Sequence, residues 1–546
     1  MRVLVLIGFL CAALSCAPLA RCGDEHHHAL TAEEVGSVHF ATSCSKSVAL
    51  SFNRAVALLH SFQYEQAREA FSGVAKRDPQ CAMAQWGVAM SYYHGLWKNG
   101  NTAAGREAFE KAKAIASADP KTTQRELAYI GTLDKIYSED DKDQAAHDRA
   151  FEQKMGALQA AYPTDSEAAI FHALTLDVAA SKTDKTYSNQ RECGEILEPL
   201  FKLQPHHPGI PHYIIHCYDN PALAEKSLGA ARMYAKIAPA SAHANHMPSH
   251  IFTRLGLWDE SIRSNIRSEK LATEAEATST NGEARDQRLH AMDYEAYAYL
   301  QSGQVKQAEA VLAKMNSLLS VGGLTLTGDY ALAAIPARCA IELGNWKQAS
   351  ELQARTDSVP WAQAITWDAI GEGSARAGDL DRAAQAEHTL ASLVDTIAKK
   401  NNTYWSNQVE VQRREVAAWI AEKSGKSTDA IAMMKSAAEL EESMDKDAVT
   451  PGAVTPAREM LAELLLLEKQ PQDALKEYEA VLKVAPNRFN ALFGAASAAD
   501  AAGNSTVADR YFHKLSEISV GEERPELVTA HKRIAVTAQK NSMMRP

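Results

Sequence analysis

The chain has 546 residues, too many for one ordinary compact core, so it is either several domains or one elongated array. Its 57 Lys and Arg against 68 Asp and Glu leave a net charge of −11, which argues against nucleic acid as a partner, because phosphate recognition needs a basic surface. Alanine, leucine and glutamate dominate with little β-branched alternation, which favours an all-α fold, and neither a Walker-type phosphate loop nor a Rossmann fingerprint is present.

The N-terminus predicts an export signal over residues 1–22. Arg2 supplies the positive start, and Val3 to Leu14 is an apolar run too short to hold a bilayer span. Ala13-Leu14-Ser15-Cys16 resembles a degraded lipobox, so a lipid-anchored form is the alternative to a free periplasmic or secreted one. No later stretch is apolar for long enough to be a transmembrane helix. Export permits disulfides. Cys44 and Cys81 flank the first helical hairpin and form a candidate pair, Cys193 and Cys217 form a second, and Cys339 reads as a buried thiol. No C-x-x-C occurs. Residues 23–47, with His26-His27-His28, read as an N-terminal segment.

From residue 48 onward a repeat takes over. Phe62-Gln63-Tyr64-Glu65-Gln66-Ala67 leads to Asp78-Pro79. The pattern returns as Gly256-Leu257-Trp258-Asp259-Glu260-Ser261, Gly303-Gln304-Val305-Lys306-Gln307-Ala308, Gly344-Asn345-Trp346-Lys347-Gln348-Ala349 and Gly378-Asp379-Leu380-Asp381-Arg382-Ala383. Pro471-Gln472-Asp473-Ala474 and Gly503 to Ala508 continue it near the end. Each glycine marks a tight turn, and each following small residue lets a second helix close on the first. This unit resembles the tetratricopeptide repeat. The resemblance implies an α-solenoid of helical hairpins: a repeat array over 48–267 with loop insertions, a polar connection over 268–288, a second array over 289–522, and a tail over 523–546.

The stretches SFQYEQAREAF (61–71), HPGIPHYIIHCYDNPALA (207–224), HANHMPSHIFTRLGLWDESI (243–262) and RLHAMDYEAYAYLQ (288–301) also resemble a group of exported bacterial repeat proteins. That likeness supports fold and export, not a reaction.

Five of the 19 histidines fall between residues 212 and 250. They are spaced His212-x-x-x-His216 and His243-x-x-His246-x-x-x-His250, followed by His290-x-x-Asp293-x-x-x-Tyr297. Offsets of three, four and seven return side chains to one helical face. In tetratricopeptide repeats the first helix of each hairpin lines the concave groove. By phase, that would aim these imidazoles and Asp293 into one stretch of groove, with Tyr297 beside them. Pro248 inside the His243–His250 helix removes a backbone hydrogen bond, at a cost of roughly 3 kcal/mol, and points to a site rather than generic packing. Asp368 and Glu372 are further groove positions. They are either a solvated acidic face or a means of drawing cations toward the histidines.

Imidazoles with one carboxylate suit a transition metal such as copper, zinc or iron, not magnesium or calcium. No HExxH is present. The expected ligands are His243, His246 and His250 from one helical stripe, with His212, His216, His290 and Asp293 as further ligands or orienting partners; two metals are possible. Two functional readings stay open. One is a metal-binding repeat protein or metalloenzyme; the other is a scaffold that binds a peptide or protein partner in its groove.

Overall fold

The computed structural model describes residues 30–97, 100–137, 144–277, 282–318, 326–520 and 523–543. The expected export signal and His26 to His28 lie outside these. Among the described residues the fold is all-α, with no strand. Among the described residues no helix is long and apolar enough to cross a membrane.

The repeat is built on one turn. Helix Ala49–His60 ends at Phe62 with φ 52°, and Gln63 N donates to Leu58 O at 3.1 Å before helix Tyr64–Arg77 begins. The same bond, from an amide to the carbonyl five residues earlier, joins Leu257 to Phe252, Gln304 to Tyr299, Asn345 to Ala340, Asp379 to Ser374, Gln470 to Leu465 and Asn504 to Ala499. Such a bond satisfies carbonyls that the helix end leaves free, and it needs a left-handed residue in the turn. Gly256 shows why glycine serves there: its φ is +65°, and a Cβ would lie 2.2 Å from the Pro486 carbonyl oxygen. The small residue three or more positions on is buried in each hairpin, as Ala67, Ser261, Ala308, Ala349, Ala383, Ala474 and Ala508.

The expected polar connection at 268–288 is mostly helix. Trp258–Glu276 runs well into it and Glu283–Gln301 begins within it. The reason is that Ser268, Glu269 and Ala272 face inward and are buried. The expected tail likewise contains helix Pro525–Met543, which seats Leu527 and Ala530 in the C-terminal core.

Both expected disulfides form, Cys44–Cys81 and Cys193–Cys217, and Cys339 is a buried free thiol. The N-terminal segment straps across the array, with Ser37 N donating to His206 O and Ala240 N to Glu34 O. The C-terminal repeats meet the middle of the chain. Trp258 Nε1 donates to Asn487 O, Val520 N to Ser302 O, and Asp445 N to Lys182 O. The histidine-bearing helices therefore lie inside the array, where the large N-terminal apolar core meets the smaller core around Ile215, Met247 and Ile251.

Candidate metal centre

Four helices bring the histidines together. His212 and His216 lie on Gly209–Cys217, which the Cys193–Cys217 bond ties to helix Ser188–Leu203. His243 and His246 lie on Ala242–His246, His250 on Pro248–Arg254, and His290 on Glu283–Gln301. Each of the six is at most 9% exposed.

The expected triplet from one stripe does not hold together. The helix is interrupted at Met247 and Pro248, and the six imidazoles sort into two sets of three, His212, His216 and His243 in one and His246, His250 and His290 in the other. Within each set the donor atoms lie within 4.8 Å of one another. In the first set His212 Nε2 is 3.0 Å from His243 Nε2 and 3.1 Å from His216 Nε2. In the second, His246 Nε2 is 3.0 Å from His250 Nε2, and the His246 and His290 ring centroids are 4.3 Å apart. The sets adjoin: the His243–His246 and His216–His250 centroids are each 6.3 Å apart.

Surrounding acceptors orient these rings. His212 Nδ1 donates to the His60 carbonyl at 2.6 Å. His246 Nδ1 donates to Asn265 Oδ1 at 2.7 Å, an assignment fixed because Asn265 Nδ2 already donates to Ser261 O. His250 Nδ1 donates to Asp219 Oδ2 at 2.9 Å. With both Nδ1 atoms protonated, neutral His246 and His250 turn two unprotonated Nε2 lone pairs toward each other across 3.0 Å. Such a contact is repulsive unless a cation lies between or beside the two nitrogens.

Protonation is disfavoured. Burial lowers the pKa of all six imidazoles below the ordinary histidine value, and in each set neighbouring imidazoles add to it. Asp219 remains a carboxylate. Burial alone would raise it, but Lys446, Arg254 and His250 outweigh burial and hold it well below the usual range. His290 Nδ1 is buried without a hydrogen-bond partner.

A third cluster, His60, Glu167 and His207, is self-satisfied. Gly209 N donates to His207 Nδ1, so His207 Nε2 donates to Glu167 Oε1, and His60 Nε2 donates to Glu167 Oε2. Tyr213 OH completes His60 Nδ1. This cluster supports the carbonyl that orients His212.

Several expected site residues lie elsewhere. Asp293 is fully buried against Arg338, whose Nε donates to its Oδ1 at 2.9 Å; its Oδ2 has no hydrogen-bond partner, and it belongs to neither set of three imidazoles. Tyr297 is two turns along the helix from His290 and accepts from Arg488 Nη1. The aromatic residue at the centre is Tyr294, its ring centroid 4.8 Å from those of both His246 and His250. Glu372 pairs with Arg376, and Asp368 lies in a separate acidic cluster with Glu415 and Glu441.

A cavity of about 180 Å³ opens onto His243, His246 and His290, with Trp97, His94 and Gln287 also on its wall. A larger one of about 400 Å³ reaches His216 and Asp219. Both sets are therefore open on one side.

The tetratricopeptide repeat family model matches residues 52–120 and 459–509. These two segments, less than half of the chain, are similar to tetratricopeptide repeats. No curated protein matches. Among solved structures, the human IFIT1 dimer with PPP-AAAA is 12% identical, over 79% of this chain and 89% of that one, with a TM-score of 0.35. The P58(IPK) TPR domain is 16% identical, over 69% of this chain and 99% of that one, with a TM-score of 0.22.

Proposed function

We propose that this tetratricopeptide repeat protein binds two transition-metal ions inside its array, each held by three imidazoles. The observation that carries the reading is the facing Nε2 pair of His246 and His250, with both Nδ1 atoms committed as donors. A metal turns that repulsion into two bonds. Metal–nitrogen bonds of about 2.0–2.1 Å give a tetrahedral nitrogen–nitrogen edge of about 3.3 Å. The observed 3.0 and 3.1 Å separations lie a few tenths below it.

The ligand set favours copper over zinc or iron. All six donors are neutral, with no thiolate or carboxylate among them. Of the nearby carboxylates, Asp219 is already matched by Lys446 and Arg254. A pair of monovalent ions adds less uncompensated charge to a buried site than two divalent ions. The open cavities at both sets leave each ion a free position, which is the pattern of reactive rather than structural sites. The alternative, that these histidines touch a peptide in the groove, needs them at a surface, and they are buried. A protein partner elsewhere on the solenoid is compatible with the repeats. We propose that the protein is exported; the signal-like N-terminal residues and the two disulfides support this reading.

The test is elemental analysis of untagged protein after exposure to Cu(I), Zn(II) or Fe(II). Two equivalents of copper are expected, falling to one in His246→Ala and in His212→Ala, with the helical signal unchanged. Wild-type protein that takes up no metal at micromolar concentration ends the proposal.

A further inference from the structure

A second buried polar concentration takes no part in the histidine centre. It lies between helices Pro360–Ala377 and Thr403–Lys423 and the segment around 441–455, at a cavity of about 100 Å³. One side is aromatic. Trp361 and Trp405 stack with centroids 4.4 Å apart at 18°, and Tyr330 lies 6.1 and 6.4 Å from them. Tyr404 also lines the space.

The other side carries Asp368, Glu415 and Glu441. Asp368 is 4% exposed, and its Oδ1 has no hydrogen-bond partner. The nearby cations are committed elsewhere. Lys446, on the same cavity wall, donates to Asp219, and Arg376 donates to Glu372 and Glu463. Asp368 feels the carboxylates of Glu372 and Glu441, and Glu415 feels those of Asp368, Glu441 and Glu372. Asp368 and Glu415 are buried with no cation beside them, which is costly for their carboxylates, and a bound cation would relieve it.

We propose that this cavity binds an organic cation, an ammonium group with small alkyl substituents. It would be held against the aromatic wall and faced by Asp368 and Glu415. The chemistry favours an organic cation over a metal ion. The three carboxylates do not converge within 4.8 Å as the imidazoles do, and calcium would need six or more oxygen ligands. Ile365, Val409 and Val454 add apolar surface that suits alkylated nitrogen, beside the uncharged polar Gln408, Gln412, Thr450 and Thr455. The cavity shares Trp361, Tyr404, Trp405 and Lys446 with the larger cavity that reaches His216.

The test is titration calorimetry of the full chain with choline and with its neutral isostere 3,3-dimethyl-1-butanol. Choline should bind, and the isostere should bind roughly tenfold more weakly or not at all. Asp368→Asn and Glu415→Gln should each weaken choline by about tenfold while leaving the circular dichroism spectrum unchanged. If one variant misfolds, the other and the isostere comparison still decide. No choline binding at millimolar concentration, equal binding of the isostere, or unaltered affinity in the variants would overturn the proposal. So would calcium binding lost in the variants when choline does not bind. Metal content is read separately, so failure here is distinct from failure of the histidine centre.

Discussion

Lys446 places its Nζ 2.9 Å from Asp219 Oδ2, across 227 residues of sequence, and the same oxygen accepts the His250 Nδ1 proton. One carboxylate thus joins a histidine at the centre to a segment far along the chain. Burial pushes the Lys446 ammonium down to about 8, against the pull of Asp219, which shows how dry the position is.

Asp219→Asn should lower metal affinity by about 10- to 100-fold, the usual cost of losing an orienting carboxylate behind a histidine ligand. It should also cost about 3 kcal/mol of stability, because Lys446 and Arg254 lose their buried countercharge. Competition with a chelator measures the first effect and denaturant titration the second. Unchanged metal affinity would mean that Asp219 only balances charge.

Asp293→Asn separates the two roles. It should cost about 3 kcal/mol, since Arg338 is fully buried with Asp293 as its ion-pair partner. Metal content should stay at the wild-type level. A drop in bound metal would return Asp293 to the centre.

The acidic cluster should make stability fall with rising pH. Burial raises the Glu441 carboxyl from 4.5 to about 7, even though the Ala457 amide donates to it. The folded state therefore holds a proton that the unfolded chain gives up. Its contribution is complete below pH 4.5 and is lost as pH rises through about 7. Glu441 is only partly buried, so the effect is about 1 kcal/mol. Thermal melts of Glu441→Gln should show a flatter profile between pH 5 and 8 than wild type; an unchanged slope would refute the assignment.

The repeat was legible because its turn chemistry is local. A left-handed residue, a bond five residues back and a buried small residue all fall within one short stretch of sequence. The histidine stripe was legible for the same reason, but its partition was not. Periodicity treats His243, His246 and His250 as equivalent, whereas the break at Met247 and Pro248 sends the first to one set and the other two to the next. Asp293 shares a helical face with His290 and still belongs to Arg338, because angular phase says nothing about which neighbour arrives. Asp219 stands in plain view three residues after His216, yet its partner is His250, 31 residues on. No spacing rule encodes that meeting. The expected connection over 268–288 is largely helical because Ser268, Glu269 and Ala272 are buried there despite the polar composition.

The segment around 445–455 also changes how the array can come apart. An open solenoid touches only nearest neighbours and can lose repeats from its ends one at a time. Here Asp445 reaches Lys185 and Tyr187, Lys446 reaches Asp219, and Gly452 reaches Arg338, over separations of 260, 258, 227 and 114 residues. Fraying from the C-terminus would break these bonds and leave buried charges exposed in the middle of the chain. Unfolding should therefore be cooperative across repeats. Folding must wait for a long loop to close before Lys446 meets Asp219, the carboxylate behind His250, so the histidine centre is among the last parts of the molecule to be completed.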